Sequence, residues 1–207
     1  CEWVKKAVKR QLDDLENLRG FHFDETAANR VCKFIECLTH VKGNLAGQRI
    51  HLEPWQVFIL TTVFGWKTQD GRRRFRRVYI EVPRGNGKSC LSSGVALYCL
   101  CADKEPGAEI YSFATTRDQA KIVFGDAKRM AEMNKDLRSA FGLEVLANAL
   151  YLPSAGSTFQ PKSAEGSTLD GLNTHLAVID ELHAHKTRAV YDVVETSLGK
   201  RLNSLRI

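Results

Sequence analysis

The chain has 207 residues, with 30 Lys and Arg against 24 Asp and Glu for a net charge of +6, and it is 43% hydrophobic and 26% charged. That balance excludes disordered and fibrous classes, and the length leaves room for a buried core in one large domain or two small ones. The positive excess leans toward a polyanionic partner without identifying one, since many proteins that never meet nucleic acid carry as much.

Cysteines stand at positions 1, 32, 37, 90, 99 and 101, with neither paired CxxC spacing nor the scatter of a disulfide framework. Their helix-like and apolar surroundings predict free thiols acting as small hydrophobes in a reducing cytosol. The longest apolar stretches, such as Val57 to Trp66, fall well short of the roughly 20 residues that span a bilayer. No signal-peptide pattern opens the chain, so a membrane protein is not expected.

In chain order, Val4, Val8, Leu12 and Leu15 recur at helical spacing among Lys5, Lys6, Lys9 and Arg10, which predicts a surface helix with a solvated basic face. Asp24 is placed to cap a second helix whose apolar stripe runs through Val31, Phe34, Ile35 and Leu38. Pro54 suits the first turn of a third helix reaching Phe64. The run Arg72-Arg73-Arg74-Phe75-Arg76-Arg77 has the look of a DNA patch, but charge runs before a core strand more often form solvated loop, the reading favoured here.

From Val78 the pattern changes. Val78 to Val82 predicts a strand, Lys88 to Cys101 a helix, Ile110 to Ala114 a strand, Gln119 to Met133 a helix, and Leu150 to Leu152 with Ser157 to Gln160 a hairpin. His175 to Ile179 reads as a further strand, apolar past its first residue. Strands alternating with helices imply an α/β fold with a mainly parallel sheet covered on both faces.

Between the first such strand and its helix lies Val82-Pro83-Arg84-Gly85-Asn86-Gly87-Lys88-Ser89. A phosphate chain needs backbone N–H groups aimed inward with no Cβ in the way, which Gly85 and Gly87 allow, and a helix N-terminus behind them adds favourable partial charge. Lys88 then reaches the β- and γ-phosphates of ATP, and the Ser89 hydroxyl is placed for Mg²⁺. The usual G-x-x-x-x-G-K-[S/T] pattern has glycine where this chain has Val82, and Arg84 adds a cation inside the loop.

A second element joins it. Leu176 to Ile179 runs directly into Asp180-Glu181, and a buried parallel strand delivers such carboxylates to the sheet edge where doubly wound folds bind ligands. Asp180 is expected to hold Mg²⁺ through its water shell, and Glu181 to orient and deprotonate the attacking water. An acidic N-cap after a strand is the plainer alternative.

Weaker signals surround these two. Gln56 lies upstream of the loop, where several ATPase families place an adenine-reading glutamine, so the nucleotide-contacting set is Gln56, Arg84, Gly85, Asn86, Gly87, Lys88, Ser89 and Cys90. Thr115 to Ala120 follows the second strand, either as a nucleic-acid contact or as a helix capped by Thr116. Thr196-Ser197 follows the carboxylates, either as a sensor of the γ-phosphate or as a surface pair. His183 and His185 lack spaced companions and read as ordinary loop residues.

Taken together, Leu52 to Gln56, Arg76 to Ser89, Ala114 to Ala120, Asp170 to Asn173 and the Asp180-Glu181 strand resemble the large terminase subunits of tailed phages, over about Asn29 to Lys200. The loop with Arg84 and no leading glycine is a variant typical of that family. The resemblance implies a RecA-like P-loop NTPase fold, with an N-terminal helical segment over 1–50 and an ATPase domain over 51–207. It implies Arg84 and Lys88 gripping phosphate, Glu181 as the catalytic carboxylate, and Thr196 and Ser197 coupling hydrolysis to movement. It further implies double-stranded DNA, a portal protein, a small terminase subunit and a homo-oligomeric ring as partners, working in the host cytoplasm and transiently on the procapsid.

Relatives also carry an RNase H-like nuclease. Nothing after Glu195 supplies its acids, so no DNA cleavage is expected of this chain. Arg117, Arg129 and Arg138 are candidates for the arginine that such motors supply to a neighbour, and Asp170 stands where some relatives have one. Two other readings remain open: a helicase-like ATPase, because Asp180-Glu181-Leu182-His183 also fits Asp-Glu-x-His, and a truncated remnant that binds nucleotide without turnover or is only structural.

Overall fold

The computed structural model describes residues 1–114, 117–163, 171–185 and 187–207, with residues 117–120 and 163 described by backbone alone. Thr115, Thr116 and Asp170, singled out above, lie outside the described residues.

Helix α1 (Glu2–Glu16) forms where its spacing predicts, with Lys5, Lys6 and Lys9 exposed as expected, but its apolar row is exposed as well. Val4, Val8, Leu12 and Leu15 face solvent. The row that meets the domain is polar: Gln11 Oε1 accepts from Trp66 Nε1 at 2.8 Å, and Asp14 is paired with Arg74 at 2.9 Å. Directional bonds to Trp66 and Arg74 set the facing of this helix.

Strand β1 (Phe21–Phe23) precedes α2 (Glu25–Glu36), whose first turn is capped by Asp24 Oδ1 accepting from Ala27 N at 2.9 Å. Helix α3 (Pro54–Gly65) opens with a capping box between Glu53 and Gln56 and leads into β2 (Trp66–Thr68), which pairs antiparallel with β1. Val31, Ile35 and Leu38 share one hydrophobic core with Leu60, Val95, Leu97 and Ile110.

Then come α4 (Lys88–Cys101), β3 (Glu109–Ala114), α5 (Arg117–Met133), α6 (Lys135–Phe141), β4 (Glu144–Val145), β5 (Leu150–Leu152), β6 (Ser157–Ser163), β7 (Thr174–Ile179), α7 (Ala189–Leu198) and β8 (Leu205–Arg206). The six-stranded sheet has the order β4-β5-β6-β3-β7-β8. Its centre is parallel, β6 with β3, β3 with β7 and β7 with β8, while β4 and β5 extend it as an antiparallel edge.

Side chains of β3 alternate between two layers. Ile110 packs into the large core with α4 and α5, and Tyr111 and Phe113 pack into a smaller one with Val190, Val194 and Leu198 of α7. Residues 91 to 100 of α4 are all buried, which accounts for a helix apolar on nearly every side. Each fully buried Leu, Ile or Phe contributes on the order of 1.5–3 kcal/mol.

The expected strand Val78 to Val82 is only begun. Arg77 bridges to Arg206, and Val78 N donates to Arg206 O at 2.8 Å. Tyr79 to Val82 runs on toward the turn without a regular ladder among the described residues.

Candidate functional site

The turn ahead of α4 is shaped by glycine. Gly85 and Gly87 have φ of +84° and +71°, in the left-handed region open to glycine at little cost, and no atom lies within 4 Å of where a Gly85 Cβ would sit. Asn86 Nδ2 donates to Pro83 O at 3.0 Å and to Arg84 O at 3.4 Å, closing the turn on itself. The first intrahelical bond runs from Leu91 N to Gly87 O, so the N–H groups of Lys88, Ser89 and Cys90 have no acceptor within the helix. That is a concave, electropositive cradle fitted to phosphate oxygens.

The carboxylates arrive from β7. Asp180 N donates to Phe113 O at 3.0 Å, fixing the strand end against β3, and Asp180 Oδ1 accepts from Glu181 N at 3.1 Å. Glu181 itself sits at φ +50° and ψ +50°, a conformation costing a non-glycine residue on the order of 1–2 kcal/mol. Such strain is characteristic of functional turns. Here it accompanies the contact that closes the site: Lys88 Nζ lies 2.7 Å from Glu181 Oε1 and 3.4 Å from Asp180 Oδ1.

Charge follows the geometry. The hydrogen bond from Lys88, with the Lys88, His183 and Arg84 charges behind it, holds the Glu181 carboxyl below its ordinary range, and the same bond raises Lys88. Arg84 through Cys90 and Asp180 through His183 line one open cleft of about 1000 Å³, with Tyr191 and Arg206 also on its walls. Residues 93 apart in sequence thus meet at the C-terminal rim of one parallel sheet.

The family described as "Terminase large subunit, ATPase domain" matches residues 54–207, most of the chain. The chain belongs to that family. It is 31% identical over 186 residues to the terminase large subunit of Enterobacteria phage HK97, covering 88% of this chain and 36% of that relative. With the terminase large subunit of Lactococcus phage p2 it shares 22% identity over 213 residues, 98% of this chain and 38% of the relative. It spans little more than a third of the length of these relatives.

Among solved structures it resembles the crystal structure of the HK97 bacteriophage large terminase, with a TM-score of 0.73 and 28% identity over 87% of this chain and 36% of that one. It also resembles an ATPase-domain variant of the Thermus phage P74-26 large terminase, with a TM-score of 0.60 and 25% identity over 84% and 67% of the two chains. The fold is the RecA-like α/β arrangement of terminase ATPase domains, and none of these relatives favours the helicase reading.

Not every expected residue reaches the cleft. Gln56 is buried behind the loop: its Oε1 accepts from Glu53 N at 2.9 Å, and its Nε2 faces Gly87, 3.6 Å from where a Cβ would be. Cys90 lines the cleft but turns its thiol to His40 Nδ1 at 3.8 Å, and burial raises that thiol to about 11. Thr196 and Ser197 lie on α7, outside the residues lining the cleft. Thr196 Oγ1 donates to Asp192 O at 2.9 Å, and buried Ser197 donates to Val194 O and Thr174 Oγ1. Both hydroxyls are therefore occupied by local bonds, away from the phosphate turn.

The basic run is only partly the solvated loop expected: Arg72 and Arg77 are exposed, while Arg73, Arg74 and Arg76 are bonded into the domain. Arg73 is buried against Asp103 at 2.6 Å, and Arg74 stacks on Phe21, Trp66 and Phe75 while pairing with Asp14. Arg76 donates to the Leu198 and Arg201 carbonyls at 2.7 and 2.8 Å, and Arg77 pairs with Glu195, which also holds Arg206. Arg72, paired with Asp70, stays exposed. The run ties the segment before the phosphate turn to four other elements.

Two relationships escaped the sequence reading. His183, taken for an ordinary loop residue, places Nε2 3.5 Å from Glu181 Oε2; its position two residues beyond the carboxylate in a tight turn was the available signal. Cys99, Asp103 and His175 form the one group of three potential metal ligands among the described residues. Arg73 and His175 already share Asp103 Oδ2 at 2.6 Å each. A divalent ion with a Cys99 thiolate and the Asp103 carboxylate would sum to zero and leave the buried Arg73 without a counter-charge, whereas the Arg73–Asp103 pair alone is neutral, so the group is read as a structural ion pair.

Proposed function

We propose that this chain binds ATP with Mg²⁺ in the cleft between Arg84–Ser89 and Asp180–Glu181 and hydrolyses it to drive double-stranded DNA into a phage procapsid. The observation that carries this reading is the meeting of Lys88 with Asp180 and Glu181 at the rim of the sheet. A lysine on a glycine turn at a helix N-terminus serves a triphosphate, and two carboxylates opposite it serve a divalent ion and a water.

The N–H groups of Lys88, Ser89 and Cys90 and the Lys88 ammonium bind phosphate oxygens, and Arg84 is near enough in the turn to reach the terminal one. The Ser89 hydroxyl and the Asp180 carboxylate are the oxygen donors a magnesium ion favours. Bound there, the ion supplies charge neutralisation between the phosphates. Glu181, kept ionised by its surroundings, orients the attacking water and takes its proton. Gln56 backs the turn at Gly87, and Thr196 and Ser197 carry the hydrolytic signal along α7.

The partners proposed with this activity are DNA, a portal protein, a small terminase subunit and other copies in a ring, in the cytoplasm of an infected cell. No helix among the described residues is long and apolar enough to cross a membrane. The arginine completing a neighbour's site is sought among Arg117, Arg129 and Arg138. Its absence from a lone subunit removes a term worth about 10³- to 10⁵-fold in other NTPases. The chain itself is proposed not to cleave DNA.

The test is to measure nucleotide binding and phosphate release separately on the isolated chain. Binding of ATP with Mg²⁺ together with slow turnover supports the proposal. Turnover that needs no divalent ion, or an absence of binding, contradicts it.

A further inference from the structure

The apolar row of α1 plays no part in the nucleotide site and is not covered by any described residue. Val4, Val8, Leu12 and Leu15 fall on one stripe of the helix and are 59%, 40%, 56% and 46% exposed. The helix beneath them is held firmly, because Gln11 and Asp14 on the adjacent row are bonded to Trp66 and Arg74. A row of large apolar side chains fixed in solvent marks an interaction surface.

The charges beside the row indicate what covers it. Lys5 and Lys9 flank its N-terminal half, and Asp13 and Glu16 flank its C-terminal half, all four exposed. An identical helix laid antiparallel sets Val4 against Leu15 and Val8 against Leu12, with Lys5 toward Glu16 and Lys9 toward Asp13, and the two-fold axis repeats each pairing. A parallel copy would set Lys5 against Lys5 and Glu16 against Glu16. An anionic surface would meet Asp13 and Glu16 beside its lysine contacts.

We propose that α1 pairs antiparallel with α1 of a second copy of this chain, forming a two-fold dimer through Val4, Val8, Leu12 and Leu15. This contact is self-complementary, unlike the head-to-tail contact of a ring, and does not depend on nucleotide.

Sedimentation velocity of the chain over rising concentration tests it. The expected result is a reversible monomer–dimer equilibrium that Leu12→Asp weakens by about tenfold or more, with circular dichroism and nucleotide binding unchanged. A Lys5→Glu/Lys9→Glu chain and an Asp13→Lys/Glu16→Lys chain should each be monomeric alone and should dimerise when mixed. A wild-type chain monomeric at every concentration overturns the proposal, as do charge variants that self-associate as well as wild type. A monomer that instead floats with vesicles of anionic phospholipid also overturns it, assigning the face to a lipid surface.

Discussion

Lys88 Nζ donates to Glu181 Oε1 at 2.7 Å, so the cation that would grip a triphosphate is held by the carboxylate that would activate water. Phosphate oxygens arriving at Lys88 compete with that bond, and their success frees Glu181. Replacing the carboxylate with an amide weakens the hold without removing the phosphate cradle. Glu181→Gln is therefore expected to bind ATP with Mg²⁺ at least as tightly as wild type while turnover falls by about 10²- to 10⁴-fold. Equilibrium binding and phosphate release, measured side by side, check this, and a wild-type rate would clear Glu181 of the role.

Asp103 gives a pH dependence of known sign. Burial opposes its ionisation, but Arg73 and the hydrogen-bonded His175 outweigh that and bring it from 3.8 to about 2. With the folded value below the unfolded one, its contribution is complete above about pH 4 and is lost as pH falls toward 2, amounting to roughly 2 kcal/mol. Urea unfolding at stepped pH should show the loss in wild type and not in Asp103→Asn. Equal acid sensitivity in the two chains would contradict the assignment.

Adjacent arginines should behave oppositely. Arg73→Ala leaves the buried Asp103 with His175 alone and is expected to cost on the order of 3 kcal/mol. Arg72→Ala removes an exposed pair with Asp70 and should leave the thermal midpoint in place. A shared phenotype limited to DNA affinity, with both variants fully stable, would restore the DNA-patch reading of this run.

Much of this site was legible because its parts are local strings. Gly85-Asn86-Gly87-Lys88-Ser89 announces a phosphate turn by itself, Asp180-Glu181 follows an unmistakable buried strand, and Asp24 and Pro54 mark helix starts through bonds within a few residues. What failed depends on partners distant in sequence. The outward face of α1 is set by Trp66 and Arg74, and the Arg72–Arg77 run is spent on Asp14, Asp103 and Glu195, none of which its own pattern names. Val78 to Val82 has strand composition, yet a ladder needs a neighbour, and its bridge to Arg206 joins segments far apart in sequence. The bond from Ser197 Oγ to Thr174 Oγ1 likewise joins residues whose meeting no local string announces.

The most direct test of the central claim is the affinity of ATP with Mg²⁺ for wild type and for Lys88→Ala, measured by calorimetry on chains shown to be equally folded. The site described here predicts saturable binding by wild type and loss of tight binding by the variant. Equal affinity in the two would place the nucleotide somewhere other than between Lys88 and Glu181.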